Sequence, residues 1–178
     1  AEGLGNQLFM YANSLALSKK FNCELNIDNT SGYFKKKNQN RSYILDKFNI
    51  SANLSDKNLR FDNYYLDIKR KYLKKTDFLR KNKRFIIEKL DDNKKTFFSD
   101  HSSGSFSNNI FVEGHFESER YFDNYKNIIK KEFIIKDQFL DTNNYSKMLS
   151  DTNSVSIALR RNRFSEGYKK DNVKSEKF

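Results

Sequence analysis

The sequence predicts an α/β fold. Three observations carry that expectation. Apolar residues at helical spacing follow a glycine turn in "GLGNQLFMYANSLALSKK", "CELNID" then alternates in period two, and strand-like and helix-like runs keep succeeding one another in "RFIIEK", "IFVEGHF" and "SERYFDNYKNIIKKEF". Alternating strands and helices bury their apolar faces as helices packed on a sheet. At 178 residues the chain can build one ordinary domain with its own core. A mean hydropathy of −0.89 and a net charge of +11 would suit a disordered chain. Against that, 17 Phe and 10 Tyr supply the apolar area a packed interior needs.

In the first helix Leu8, Tyr11, Ala12 and Leu15 recur at helical spacing. Polarity stays low until Lys19, so this helix is expected to be buried on more than one side. The alternation of "CELNID" is that of a strand, and Cys23, in step with Leu25 and Ile27, reads as a small core residue. Turn, helix and strand make the back half of a βαβ unit. A front strand is therefore expected upstream of Ala1, and the chain reads as an incomplete piece.

Residues 29–60 are polar and turn-rich around a more ordered "YILDKFNI". From Phe61 to about Asn82, Phe61, Tyr65, Ile68 and Tyr72 fall at helical spacing. "RFIIEK" (84–89) reads as a short strand, 91–109 as a polar loop around "HSSGS", and "IFVEGHF" as a further strand. "SERYFDNYKNIIKKEF" reads as an amphipathic helix through Tyr121, Tyr125, Ile128 and Ile129. After a polar break near Asn143, "SVSIAL" is the last expected strand, with Val155, Ile157 and Leu159 on one side. Its apolar face is expected to be exposed near Val155 and Ile157, because the strand has no sheet neighbours in this chain.

The basic balance suits an acidic partner, whether a nucleotide, a nucleic acid or an anionic membrane surface, and equally a plain solvated lysine surface. Lys69–Arg84, "KRKYLKKTDFLRKNKR", is the best stretch for RNA, but no nucleic-acid-binding signature accompanies it, and no nucleic acid is expected. A single cysteine excludes an internal disulfide, and His101 and His115 are too few for a metal cluster, so no metal site is expected. No apolar run reaches membrane-spanning length.

Two stretches could carry chemistry. "GLGNQ" puts Gly3 and Gly5 before a helix N-terminus, where free N–H groups and a positive dipole end suit phosphate; the plain alternative is a tight turn with Asn6 as cap. It is neither a dinucleotide fingerprint nor a P-loop, lacking the third glycine and the Lys-Ser/Thr pair. "ALRRNR" ends a strand, where open α/β sheets bind ligands. An arginine there can bond two phosphate oxygens at once; the alternative is a surface salt bridge. Glu113, Glu117 and Glu119 offer a catalytic base, although acids at such turns are more often caps.

Taken together, "GLGNQLFMYANSLALSKK", "RSYILDKFNI", "VEGHFESERYF" and "SIALRRNR" occur in an order that resembles the bacterial α-1,2-fucosyltransferases, glycosyltransferase family 11. The last block occupies the place of the family's H-x-R-R-x-D motif. The resemblance implies a GT-B architecture. Residues 1–150 would be an N-terminal, acceptor-side Rossmann-like domain, and 151–178 the first strand and start of the nucleotide-sugar-binding domain. It further implies inverting transfer of fucose from GDP-fucose to a galactoside 2-hydroxyl, with no required cofactor or metal.

By the same resemblance Arg160 would stabilise the GDP leaving group as the catalytic residue, with Arg161 and Asn162 in the same donor pocket. Asn6 would face the donor across a cleft, on a turn shaped by Gly3 and Gly5. The partners implied are a GDP-sugar donor and an oligosaccharide or lipid-linked glycan acceptor, in a cytoplasmic protein peripheral to the inner membrane. Ala158 and Arg163 stand where the motif has His and Asp. A donor-altered or non-catalytic relative is therefore the alternative. The 178-residue piece alone is expected to be inactive.

Overall fold

The computed structural model describes residues 3–35, 41–88, 104–140 and 144–155. They fall in two compact units, Ala1–Phe139 and Leu140–Phe178. In the first unit, α1 (Leu4–Phe21) is followed by β1 (Asn26–Ile27), β2 (Asn53–Leu54), α2 (Tyr64–Thr76), β3 (Lys83–Ile87), β4 (Phe106–Glu113) and α3 (Lys126–Glu132), with short 3-10 turns between them. In the second, α4 spans Asn144–Ser150. The described residues are thus mixed helix and strand, as expected.

The strands form two parallel pairs. β1 pairs with β2 through Asn26–Asn53 and Ile27–Leu54. β3 pairs with β4 through Phe85–Phe111, Ile86–Val112 and Ile87–Glu113. Between the pairings Lys83–Phe106 and Phe85–Phe111 the longer run on β4 bulges, and it is the polar stretch Ser107–Asn109 that does so. Phe106–Asn109 therefore belong to a strand, where the sequence predicts loop. The Phe106 ring, 5.2 Å from that of Phe21, holds the strand's start against α1.

α1 is buried on several sides, as its low polarity predicts: Tyr11, Ala12 and Leu15 face one core, and Gln7, Asn13, Ala16, Leu17 and Ser18 are buried around them. Tyr11, Ala12, Leu15, Leu45 and Ile129 make the centre of that core, with Leu25, Ile27, Ile50, Ala52, Phe122 and Phe133 packed against it. Burial, and the hydrogen bond to the Glu132 carboxylate, push the Tyr11 phenol well above its usual range. Glu132 also accepts from Ser51 Oγ at 2.7 Å, so α3 is tied to both α1 and the segment before β2.

α1 ends at Asn22, which adopts the left-handed conformation (φ 49, ψ 52). The Cys23 N–H donates to Ser18 O at 2.9 Å and the Asn22 N–H to Lys19 O at 3.3 Å, the paired bonds by which a helix satisfies its last carbonyls. This turn puts Cys23 in solvent, so it is not a core residue. Leu25, just before β1, and Ile27, within it, are partly buried.

Two other expectations are corrected. The helix predicted over 118–133 is broken into turns at Glu119–Tyr121 and Asp123–Tyr125 before α3 begins. Phe122 leaves the helical conformation (φ −139, ψ 17) and its ring lies 6.1 Å from that of Phe9 on α1.

The larger correction concerns α2. Helical spacing of apolar residues ordinarily marks the core face of a helix. Here Tyr65, Ile68 and Tyr72 are 76%, 65% and 67% exposed, while Asp67 is 4% exposed. Asp67 takes ion pairs from Lys35, from Arg70 at 3.2 Å and from Lys71 at 3.2 Å. Arg70 continues to Glu113 on β4 at 2.7 Å, and Lys74 joins the same carboxylate at 2.5 Å. The helix is held to the sheet by its charged side.

Candidate functional site

The glycine turn of the sequence is the N-terminus of α1. Gly3 is the N-cap, in extended conformation (φ −67, ψ 169), and the helix starts at Leu4. Gly5 and Asn6 therefore lie inside the first helical turn rather than before it, and Asn6 is not the cap. The first N–H with an intrahelical partner is that of Gln7, which donates to Gly3 O at 3.1 Å. The first turn holds no acidic residue and no side chain caps it. A Cβ placed on Gly3 or Gly5 would meet no atom within 4 Å. Neither packing nor backbone conformation demands glycine at Gly3. What glycine does there is leave the backbone donors uncovered.

Gln7, next along, is buried and works in the opposite direction. Its Nε2 donates to Ser42 O at 2.9 Å and its Oε1 accepts the Ile44 N–H at 3.1 Å. A side-chain amide satisfies a donor and an acceptor of an irregular segment at once, so the glycine turn and "RSYILDKFNI" form one piece of structure. The second block is in turn held by the third region: Asn49 N–H donates to Ile134 O at 2.9 Å and Lys136 N–H to Lys47 O at 2.9 Å.

A second constructed feature lies past the carboxyl ends of β3 and β4. Glu88 follows β3, and its Oε2 accepts the N–H of His115 at 2.7 Å and of Phe116 at 2.9 Å. The Tyr121 hydroxyl donates to Oε1 at 3.3 Å. Phe116 is buried in a left-handed conformation (φ 53), which a bulky side chain adopts only when its surroundings dictate it. Its ring meets that of Tyr121 edge-on at 5.2 Å. Glycine is required at Gly114, because a Cβ there would lie 2.4 Å from Glu88 Cβ. The "EGHFESERY" block is thus a turn wound around one carboxylate.

The acids singled out in that block have other partners. Glu113 is engaged by Arg70 and Lys74, Glu119 pairs with Lys126 at 3.2 Å, and Glu117 is exposed, 3.8 Å from His115 Nδ1. Glu88, which organises the turn, is not among the acids the sequence points to. Its signal was slight: one acid directly after the apolar "RFII" at a strand's carboxyl end. Gln7 had a clearer signal, a polar residue on a helix with few polar positions, since a buried amide must be hydrogen-bonded.

Gly3, Gly5 and Asn6 are brought together on α1. Arg160, Arg161 and Asn162, with Ala158 and Arg163, lie outside the described residues. Of the last expected strand only Ser154 and Val155 are described; neither is in a strand, and Val155 is 89% exposed. Among the described residues no group of three His, Cys, Asp or Glu is placed to hold a metal ion.

Helix starts without side-chain caps and turns beyond parallel strands are places where other α/β proteins bind small anionic ligands. Comparison with known proteins relates this chain to the glycosyltransferases. It is 32% identical over 164 residues to an alpha-1,2-colitosyltransferase from Escherichia coli, a match that covers 90% of this chain and 52% of the relative. The chain thus spans about half the length of the curated relative it matches. No family model matches the chain. No solved structure matches it.

Proposed function

We propose that the protein belongs to a glycosyltransferase of GT-B architecture that moves fucose from GDP-fucose to a galactoside 2-hydroxyl with inversion. The observation that carries this reading is the 32% identity along 90% of the chain to an enzyme named for α-1,2 glycosyl transfer. Arg160 stabilises charge on the departing pyrophosphate, where a fixed cation lowers the barrier most. Arg161 and Asn162 complete the donor pocket. The α1 N-terminus, with Gly3, Gly5 and Asn6, offers its backbone N–H groups to anionic oxygen of the donor. No metal or other cofactor enters this scheme, since leaving-group charge is met by arginine. The acceptor is an oligosaccharide or lipid-linked glycan.

A second reading has an observation of its own. The relative is named for colitose, not fucose, and Ala158 and Arg163 replace the His and Asp of the fucosyltransferase motif. A colitosyl donor is the donor-altered alternative. The two sugars differ by the hydroxyl at carbon 3 that colitose lacks, and a site built to bond that hydroxyl rejects the deoxy sugar strongly.

The test is calorimetric titration of GDP-fucose, GDP-colitose and GDP-mannose into the full-length gene product, beside Arg160→Ala. Tight GDP-fucose binding that weakens by about 2 kcal/mol or more in the variant supports the first reading. Binding of GDP-colitose alone supports the second. If no GDP-sugar binds, both readings fall.

A further inference from the structure

The outward face of α2 stands apart from the rest of the surface. Tyr65, Ile68 and Tyr72 form an exposed stripe along it, and Phe78 and Leu79, in the turn directly after the helix, are each 73% exposed. A stripe of that size on water is costly unless something covers it. The polar residues beside it have one sign. Lys69, Lys71, Lys75, Arg80 and Lys81 are exposed, whereas the two acids of the segment, Asp67 and Asp77, are buried. Asp77 is turned inward to accept the N–H of Arg84 at 3.0 Å. Both carboxylates are used inside, so among the described residues of this segment the exposed charges are all cations.

We propose that the face formed by α2 and the turn Asp77–Leu79 docks on an anionic lipid bilayer. A helix that lies in a membrane interface has this make-up: apolar side chains that enter the acyl boundary, and lysines that reach lipid phosphates. Tyrosine favours the headgroup depth, where its ring is in apolar surroundings and its hydroxyl stays wet. The aliphatic Ile68 and Leu79 decide against single-stranded RNA, which such a basic and aromatic surface would otherwise suit, because bases stack on rings and not on branched chains. No described helix is long and apolar enough to cross a membrane. Docking leaves the helix on the surface and is independent of the sugar transferred.

The experiment is flotation of the full-length protein with vesicles of phosphatidylethanolamine and phosphatidylglycerol in a roughly three-to-one mixture, against vesicles of phosphatidylcholine. The protein floats with the anionic vesicles, and Ile68→Ser with Leu79→Ser weakens that binding roughly tenfold while its thermal melt is unchanged. Lys69→Glu with Lys75→Glu does the same, more strongly at low salt.

These 178 residues hold no Trp, so Tyr72→Trp within this chain is a single reporter. Its emission shifts to the blue and is quenched by brominated acyl chains when anionic vesicles are added. No flotation, flotation indifferent to both double variants, or Tyr72→Trp emission that does not respond each overturns the proposal. So does binding to polyuridylate, with no vesicle binding, that the lysine variant alone abolishes.

Discussion

The carboxylate of Glu88 holds Phe116 in the left-handed conformation: its Oε2 accepts the Phe116 N–H at 2.9 Å, and that of His115 beside it at 2.7 Å. A local sequence of "GHFES" has no intrinsic reason to bend this way. The acid 28 positions earlier supplies it. Glu88→Ala is expected to lower stability by about 3 kcal/mol, the loss of two charge-assisted bonds in a half-buried turn. Glu88→Gln should recover part of that loss, since one acceptor oxygen remains. Urea unfolding of the two variants measures both effects; no loss in Glu88→Ala would mean that the bonds are incidental to the turn.

Gly114→Ala tests the same turn from its other side. The added methyl would lie 2.4 Å from Glu88 Cβ and 2.9 Å from Phe116 Cζ. The first of these atoms is close to backbone and can move only with it. A loss of about 3 kcal/mol is expected from this overpacking, read as a lowered thermal midpoint. Gly3→Ala, where a Cβ meets open space, is the control and should be nearly neutral in stability.

Acid should loosen α2 from the sheet. Hydrogen bonding from Lys35, above all, and from Lys71 and Arg70 holds the Asp67 carboxyl down at about 2, against the opposing effect of burial. The folded value lies below the unfolded one, so this stabilisation is complete above about pH 4 and is lost as pH falls toward about 2. Asp28, held low by hydrogen bonds from Ser31 and Thr30 despite its burial, contributes with the same sign. The urea midpoint of the parent should therefore decline across that range. That of Asp67→Asn should start lower, with Lys35 and Arg70 left facing one another, and decline less.

Gln7→Leu keeps the volume of the buried side chain and removes both of its bonds to Ser42 and Ile44. Leaving a donor and an acceptor of that segment without their partner is expected to cost about 2 kcal/mol. Hydrogen exchange provides the sharper check. The Ile44 amide should lose protection in the variant, while amides in the middle of α1 keep theirs.

Much of this molecule is legible in residue order. α1 announces itself through Tyr11, Ala12 and Leu15, because a run of that length with few polar positions has one way to bury them. β3 and β4 are visible in "RFII" and "IFV" for the same reason. β2 is not visible. It is two residues long, and it exists because β1 lies beside it, with Ser55 N–H donating to Ile27 O at 2.9 Å. The candidate site divides along the same line. Gly3, Gly5 and Asn6 stand together in the chain and could be read off it, whereas Gln7 and Glu88 act on residues 35 and 27 or more positions away.

The sequence by itself determined the mixture of helix and strand, the helix at the glycine turn, and a similarity to a glycosyltransferase that rests on the order of residues along the chain. Those are consequences of local spacing and chemistry. Only the tertiary structure decided which way α2 faces. Spacing says that Tyr65, Ile68 and Tyr72 share a side of the helix, and does not say what lies opposite that side. Lys35 and Glu113 come from distant parts of the chain to meet Asp67, Arg70 and Lys74. Ion pairing with those partners turns the charged side inward and the apolar side out.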